Sequence, residues 1–200
     1  MSPHPDLTAL LGSRLCHDLI GPIGAIGNGV ELLALTQGAP SEEIALIAQS
    51  VATLNARIRF FRVAFGIARA GQSLSRTEIQ SILADLHPHG RLVVDWASPA
   101  DLPREEVKAA FLALLCAETL MRSAGQIRAL RDEVGWSFTL TSPRLRDDPR
   151  LRTLLLSPAA AIDPPLDASE VHFPLAASAI AALGRRPELE DLPAALRFSF

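Results

Sequence analysis

A histidine directly followed by an aspartate, His17 and Asp18, stands near the beginning of the sequence. Imidazole keeps one ring nitrogen unprotonated near neutral pH and can act as a nucleophile, and a neighbouring carboxylate can orient the ring or accept its proton. If the chain is helical from Leu7 and turns by about 100° per residue, its apolar residues gather on one stripe and His17 falls on nearly the opposite face. The pattern predicts a nucleophilic histidine presented on the surface of a helix.

The helix face that His17 would share is almost free of long side chains. Its neighbours there, one or more turns along, are Gly21, Gly24 and Asn28. Glycine inside a helix costs about 1 kcal/mol relative to alanine, so two glycines on one face indicate that another molecule approaches the imidazole closely. The alternative interpretation is a surface histidine on a loosely packed helix.

Two long helical patterns open the chain. The first begins near residues 5–6, contains Pro22, which is expected to kink it, and ends at about Thr36 before a turn at residues 37–40. The second begins at Ser41 and ends near Gly71, and the short connection predicts an antiparallel hairpin. The apolar stripes comprise Leu11, Leu15, Leu19, Ile23, Ile26, Val30 and Leu33 in the first helix, and Ile44, Ile47, Val51, Leu54, Ile58, Phe61 and Phe65 in the second.

Three further apolar residues, Phe60, Val63 and Ile67, lie off the stripe of the second helix. One hairpin cannot bury them, so they need either a second hairpin or the rest of the chain. We expect a second hairpin, which makes the protein a homodimer joined through a four-helix bundle. Covering of these residues by the rest of the chain is the competing possibility.

The pattern changes after Gly71, where we place a domain boundary. A helical-hairpin domain would occupy residues 1–71, and a second domain would occupy residues 72–200. The second domain mixes helical and strand patterns, so the sequence predicts the α+β class. Helices are expected at about residues 76–86, 104–123, 150–156 and 169–183, and strands at 92–96, 126–132, 135–141 and 196–200.

Composition and charge narrow the classes of function. Hydrophobic residues are 48% and charged residues 20% of the 200 residues, which is typical of a globular chain. The net charge of −3 argues against nucleic acid as a ligand, and no apolar run reaches the roughly 18 residues that span a membrane. Cys16 and Cys116, the two cysteines, lack the spacing of a metal site, so we expect a cytoplasmic protein with free thiols.

Residues 17–22 match the H-[DE]-L-x-x-P box of sensor histidine kinases, on the first hairpin helix, where that family carries it. Residues 15–26, with Asn28 and Gly29, resemble the ChpT-type histidine phosphotransferases of bacterial cell-cycle phosphorelays. The resemblance implies a dimerising hairpin with a phosphorylated histidine, followed by a degenerate kinase-type domain of Bergerat-like α/β sandwich form. It also implies that the partners are the receiver domain of an upstream hybrid histidine kinase and downstream response regulators.

The second domain departs from the kinase pattern at the residues that would bind the nucleotide and its metal. Kinases carry a metal-holding asparagine on the helix expected at residues 104–123, and Cys116 stands at the matching position, although Mg²⁺ prefers oxygen ligands. Glycine-rich phosphate loops are missing, because residues 142–183 contain no glycine, and the nearest acidic site, Asp163, is followed by two prolines without backbone donors. We therefore expect no ATP use and no cofactor, with Mg²⁺ supplied by the receiver domain.

The resemblance assigns the phosphoryl group to His17, with Asp18 to orient the ring or accept its proton. Arg14 lies one turn before Asp18 and could form an ion pair with it or meet the incoming phosphate. The other residues expected to receive a receiver domain are Gly21, Pro22, Gly24 and Asn28. Two other classes stay open, namely an active sensor histidine kinase with a diverged nucleotide pocket and a non-catalytic protein that binds and blocks a kinase or receiver.

Overall fold

The computed structural model describes residues 7–35, 41–87, 90–121, 123–156 and 165–200. Its first two helices, α1 (Leu7–Leu35) and α2 (Ser41–Ala64), pack against each other and form the predicted hairpin. Helix α1 continues without a break through Pro22, since proline removes only one N–H donor from a helix of 29 residues. The predicted start near residues 5–6 and the predicted turn at residues 37–40 lie outside the described residues.

Helix α2 ends at Ala64, earlier than the predicted end near Gly71. The chain leaves the helix around Gly66, where a Cβ atom would overlap the carbonyl oxygen of Arg62. Glycine has no Cβ and therefore permits this close approach. The chain then enters the second part of the molecule through a short strand, β1 (Ser73–Ser75).

The described residues of the second part form a main sheet of five strands, β2 (Leu92–Ala97), β4 (Gly125–Arg131), β5 (Trp136–Thr141), β6 (Glu188–Leu192) and β7 (Ala195–Ser199). Their order across the sheet is β2-β4-β5-β7-β6. Strands β2 and β4 are parallel, and the other neighbours are antiparallel. Strand β1 pairs separately with β3 (Asp101–Pro103).

Within the described residues, four helices and a 3₁₀ turn accompany the sheet, namely α3 (Arg76–Leu86), α4 (Arg104–Leu120), α5 (Pro149–Leu156), the 3₁₀ turn (Ala168–Glu170) and α6 (His172–Ala182). Helix α4 lies at the centre of the core, with residues 109–117 all buried between β5, α2 and α6. A helix that is apolar on all sides must be covered on all sides. The combination of helices and a mixed sheet confirms the predicted α+β class.

Strands β2, β4, β5 and β7 lie where the sequence predicts strands, whereas β1, β3 and β6 were not predicted. Strands β1 and β3 have three residues each, which is too short for a hydrophobic period to appear. Strand β6 forms one edge of the sheet and carries Glu188, Glu190 and Asp191. Charged residues protect an exposed edge from pairing with other chains. Because they replace apolar residues, the strand also lacks the hydrophobic alternation from which a strand is predicted.

The hairpin is joined to the second part through buried aromatic rings. Phe60 of α2 is fully buried and stacks on Phe111 of α4, with 4.6 Å between ring centroids, and Val63 is buried beside them. The expectation that a second hairpin covers Phe60 and Val63 is therefore wrong, because the second part of the same chain covers them. A contact within one chain avoids the entropy cost of association. Ile67, the third residue of that set, is 78% exposed.

Candidate functional site

His17 projects from the middle of α1 into solvent. Its side chain is 87% exposed, whereas the side chain of Asp18 is only 11% exposed. The Nδ1 atom of His17 lies 3.2 Å from Oδ1 of Asp18. Within the described part of the chain, Nε2 of His17 has no hydrogen-bond partner, so the ring offers one nitrogen to the carboxylate and the other to solvent.

Asp18 lies between two arginines. The Nε atom of Arg14 donates a hydrogen bond to Oδ2 of Asp18 at 2.8 Å, so Arg14 forms the ion pair that was one of its two predicted roles. An Nη atom of Arg57, on α2, lies 3.9 Å from the same oxygen. Arg14 also donates to the backbone carbonyl of Ser169 at 2.7 Å, which ties the site to the 3₁₀ turn of the second part.

The sequence pattern did not reveal Arg57 or Ser169 as neighbours of the site. Arg57 lies outside the apolar stripe of α2, and its proximity to Asp18 depends on the register of the hairpin. Ser169 is 155 residues away from Arg14 in sequence, and the contact is made by a backbone carbonyl. A backbone carbonyl carries no residue-type signal, so no sequence pattern could have identified this partner.

The face around His17 is as open as the sequence predicts. Gly21, Gly24 and Asn28 are exposed, and a Cβ atom added at Gly21 or Gly24 would meet nothing within 4 Å. Pro22 is half-buried. The hairpin therefore leaves room for a flat partner surface beside the imidazole, while the role of these residues in docking stays a prediction.

The hairpin also exposes large apolar side chains. On α2, Ile44, Val51 and Ile58 follow one another at intervals of seven residues and all are at least 40% exposed. Residues seven apart on a helix lie on one stripe. Exposed apolar residues of α1 accompany them, namely Ile20, Ile23 and Val30. We call these six residues the apolar hairpin face.

Cys116 lies inside the second part, where α6 covers α4. Burial raises the pKa of its thiol, which donates a weak hydrogen bond to the carbonyl oxygen of His172, with 3.8 Å between sulfur and oxygen. His172 is itself fully buried, and its Nε2 lies 3.0 Å from the hydroxyl of Thr119. Burial, together with the charge of Arg14, lowers the pKa of His172 to about 3, so the imidazole is neutral in the folded protein.

Other places in the molecule offer less chemistry. Within the described residues, no three His, Cys, Asp or Glu side chains gather as a metal site. A cavity of about 650 Å³ opens on the sheet, lined by residues such as Arg128, Glu188 and Arg197, and none of its lining residues belongs to the hairpin. Asp163, predicted as the nearest acidic site for a nucleotide, lies outside the described residues.

No helix in the described part of the chain is both long enough and apolar enough to cross a membrane.

Comparison with known proteins gives concordant similarities. Residues 76–191 match the family described as histidine phosphotransferase C-terminal domain. The protein phosphotransferase ChpT of Brucella abortus (strain 2308) is 35% identical over 174 residues, which cover 84% of this chain and 81% of that protein. A solved structure described as the 1.7 Å structure of a bacterial phosphotransferase is similar over 100% of this chain and 97% of its own, with a TM-score of 0.79 and 29% identity.

Proposed function

Because this chain belongs to the histidine phosphotransferase family, we propose that it shuttles phosphoryl groups between receiver-domain aspartates by carrying them on His17. Its family makes it a phosphotransferase of a phosphorelay, with histidine kinases or response regulators as partners, and neither an active kinase nor a pure inhibitor is favoured. One observation supports His17 as the carrier. Its imidazole is exposed, with one nitrogen beside a carboxylate and the other facing solvent.

The geometry favours Nε2 as the attacking atom. A proton on Nδ1 would be held by Oδ1 of Asp18, which leaves the electron pair on Nε2. In the first transfer Nε2 attacks the phosphorus of the receiver's aspartyl phosphate, so that a nitrogen–phosphorus bond forms as the oxygen–phosphorus bond breaks and the aspartate leaves as a carboxylate. The ring then carries a positive charge, which the adjacent Asp18 carboxylate stabilises. The second transfer reverses these steps toward another receiver.

The partners of this reaction would be the receiver domain of an upstream hybrid kinase and downstream response regulators. In this proposal, each receiver would bring the Mg²⁺ that neutralises its phosphoryl group. The open face at Gly21, Gly24 and Asn28, with Pro22 and Arg14 beside it, would receive the receiver domain.

We further propose that the protein does not use ATP. The thiol of Cys116 is buried under α6, so this stretch of α4 has neither the oxygen ligand nor the access that a nucleotide-bound metal requires. Calorimetric titration of the full chain with ATP and Mg²⁺ at millimolar concentration should give no binding heat. Micromolar affinity for the nucleotide would contradict the proposal and favour the alternative that the protein is an active histidine kinase.

We also propose a homodimer whose two chains meet through the apolar hairpin face and not through Phe60, Val63 and Ile67. All six large aliphatic side chains of this face are exposed in the single chain, and pairing two hairpins through them would bury them in a four-helix bundle. Light scattering at micromolar concentration should give twice the chain mass of 21.4 kDa. Val51→Glu should give a monomer, and Val134→Glu, a matched change at an exposed valine of the β4–β5 turn, should leave the dimer intact. A monomeric wild-type chain would contradict the dimer.

Transfer itself is tested by mixing the full chain with a receiver domain that carries labelled aspartyl phosphate. An acid-labile, base-stable label should appear on the wild-type chain and be absent from His17→Ala. The matched control is His87→Gln, since His87 follows the end of α3 and contacts Glu118. This variant should accept label at the wild-type rate. Label on His17→Ala, or loss of label in His87→Gln only, would show that the carrier is not His17.

A further inference from the structure

Asp18 lies within ion-pair distance of two arginines, and the two differ in how they are held. Arg14 donates to Asp18 and to the Ser169 carbonyl, and its side chain is 19% exposed. Arg57 lies 3.9 Å from Asp18, beyond hydrogen-bond distance, and its side chain is 38% exposed. Arg57 makes no hydrogen bond to any described residue, so the five N–H groups of its guanidinium are available to another acceptor.

The charges that meet at Asp18 are unbalanced in favour of an anion. Arg14 and Arg57 carry two positive charges there and Asp18 carries one negative charge, while the charge of Arg14 also acts on Asp167. A phosphoryl group on His17 would be repelled by Asp18, whose carboxylate contacts the same ring. Arg14 offsets that carboxylate and is held in place by Ser169, which leaves the charge of Arg57 in excess.

We propose that Arg57 is a further catalytic residue, whose guanidinium binds oxygen atoms of the phosphoryl group on His17. The inference rests on the proposed role of His17. The nitrogen–phosphorus bond forms as the bond to the receiver's aspartate breaks, and Arg57 exchanges no proton or electron pair but donates hydrogen bonds to phosphoryl oxygens. Positioned positive charge is the main aid that proteins give to phosphoryl transfer, and the planar guanidinium matches two phosphate oxygens.

The test uses the full chain phosphorylated by potassium phosphoramidate, a small donor that requires no receiver. The pKa of the phosphoryl group is then read from ³¹P NMR spectra recorded as a function of pH. A nearby cation favours the dianion, so Arg57→Gln should raise this pKa by about one unit. Arg57→Lys, which keeps the charge, should restore most of the wild-type value. Arg62→Gln, a matched loss of charge at an exposed position of α2, should not change it.

The outcomes separate the inference from the proposed function. If His17→Ala takes up phosphoryl groups as wild type does, the role of His17 fails. If wild type is phosphorylated on His17 but Arg57→Gln shifts the pKa no more than Arg62→Gln does, the role of Arg57 fails alone.

If Arg57→Gln does not fold, the contact of Arg57 with the phosphoryl group can be measured on the wild-type chain. The side-chain N–H signal of Arg57, identified by its absence from Arg57→Lys, should move when His17 is phosphorylated. An unmoved signal would overturn the proposal.

Discussion

Two histidines show how differently the hairpin and the second part of the chain use the same side chain. His17 on α1 is exposed and has a carboxylate beside Nδ1. His172, the first residue of α6, is fully buried, and its Nδ1 has no hydrogen-bond partner in the described part of the chain. Chemistry with another molecule needs the exposed imidazole, whereas the buried one contributes volume to the core and must stay neutral to do so.

The hairpin and the second part also differ in how far their large apolar side chains are buried within the chain. The second part surrounds α4 with a sheet and helices, so its large apolar side chains are buried within the chain. The two helices of the hairpin leave the apolar hairpin face uncovered within the chain. The hairpin therefore offers its surface to the partners proposed above, and the second part is a packed body that fixes the end of α2 through Phe60 and Phe111.

The largest effect is expected from breaking the joint between the two regions. Phe60→Ala removes a fully buried ring that stacks on Phe111, and it should lower the free energy of unfolding by about 3–5 kcal/mol. Denaturant unfolding followed by circular dichroism measures the change.

Ile67→Ala provides the control, because Ile67 was predicted to share a surface with Phe60 but is mostly exposed. It should change stability by less than about 0.5 kcal/mol. Equal losses in the two variants would mean that the hairpin does not depend on this joint.

A smaller effect is expected from pH, through His172. Burial lowers the pKa of His172 to about 3 in the folded chain, whereas in the unfolded chain the imidazole has its ordinary pKa of 6.5. At a pH between these two values, the unfolded chain binds a proton that the folded chain does not. Stability should therefore fall as pH falls below 6.5, by about 2 kcal/mol at pH 5. Unfolding curves at pH 7 and pH 5 measure the loss.

Other groups should not obscure this result. Hydrogen bonds lower the pKa of Asp132 and Asp191 from the reference value of 3.8, so their contribution is lost only at lower pH. His172→Gln keeps a polar side chain beside Thr119 but cannot titrate, and it should lose less stability between pH 7 and pH 5 than the wild type. An equal loss in both proteins would rule out His172 as the cause.

The smallest effect is expected from Gly24→Gln, which tests the proposed docking of a receiver domain on the hairpin. Gly24→Gln places a long side chain one to two turns from His17, in space that the chain leaves open, and should slow transfer from a phosphorylated receiver about tenfold, equivalent to about 1.4 kcal/mol. Because glycine is a poor helix former, the same change should raise stability by up to about 1 kcal/mol.

Gly12→Gln is the matched control for that variant. Gly12 is also in α1, and a Cβ atom there also meets nothing within 4 Å, but it lies five residues before His17 and on another side of the helix. It should gain similar stability and transfer at the wild-type rate. Wild-type transfer by Gly24→Gln would show that the open face reflects only loose packing.

The sequence alone determined the elements whose signals are local. The spacing of apolar residues predicted the hairpin and α4. Short β-branched composition predicted β2, two segments around a turn predicted β4 and β5, and alternation predicted β7. The position of His17 opposite the apolar stripe, with glycines on its face, predicted an exposed imidazole beside Asp18. These predictions succeed because helical and strand periods depend on neighbouring residues only.

Only the tertiary structure decided which distant groups meet. Phe60 was apolar and off the stripe in the sequence, but whether a second hairpin or the same chain buries it depended on where α4 lies. The contacts of Arg57 with Asp18 and of Arg14 with Ser169 join residues far apart in the chain, one of them through a backbone carbonyl. Such contacts arise from the packing of whole elements, where many small contacts fix one geometry that no local pattern encodes.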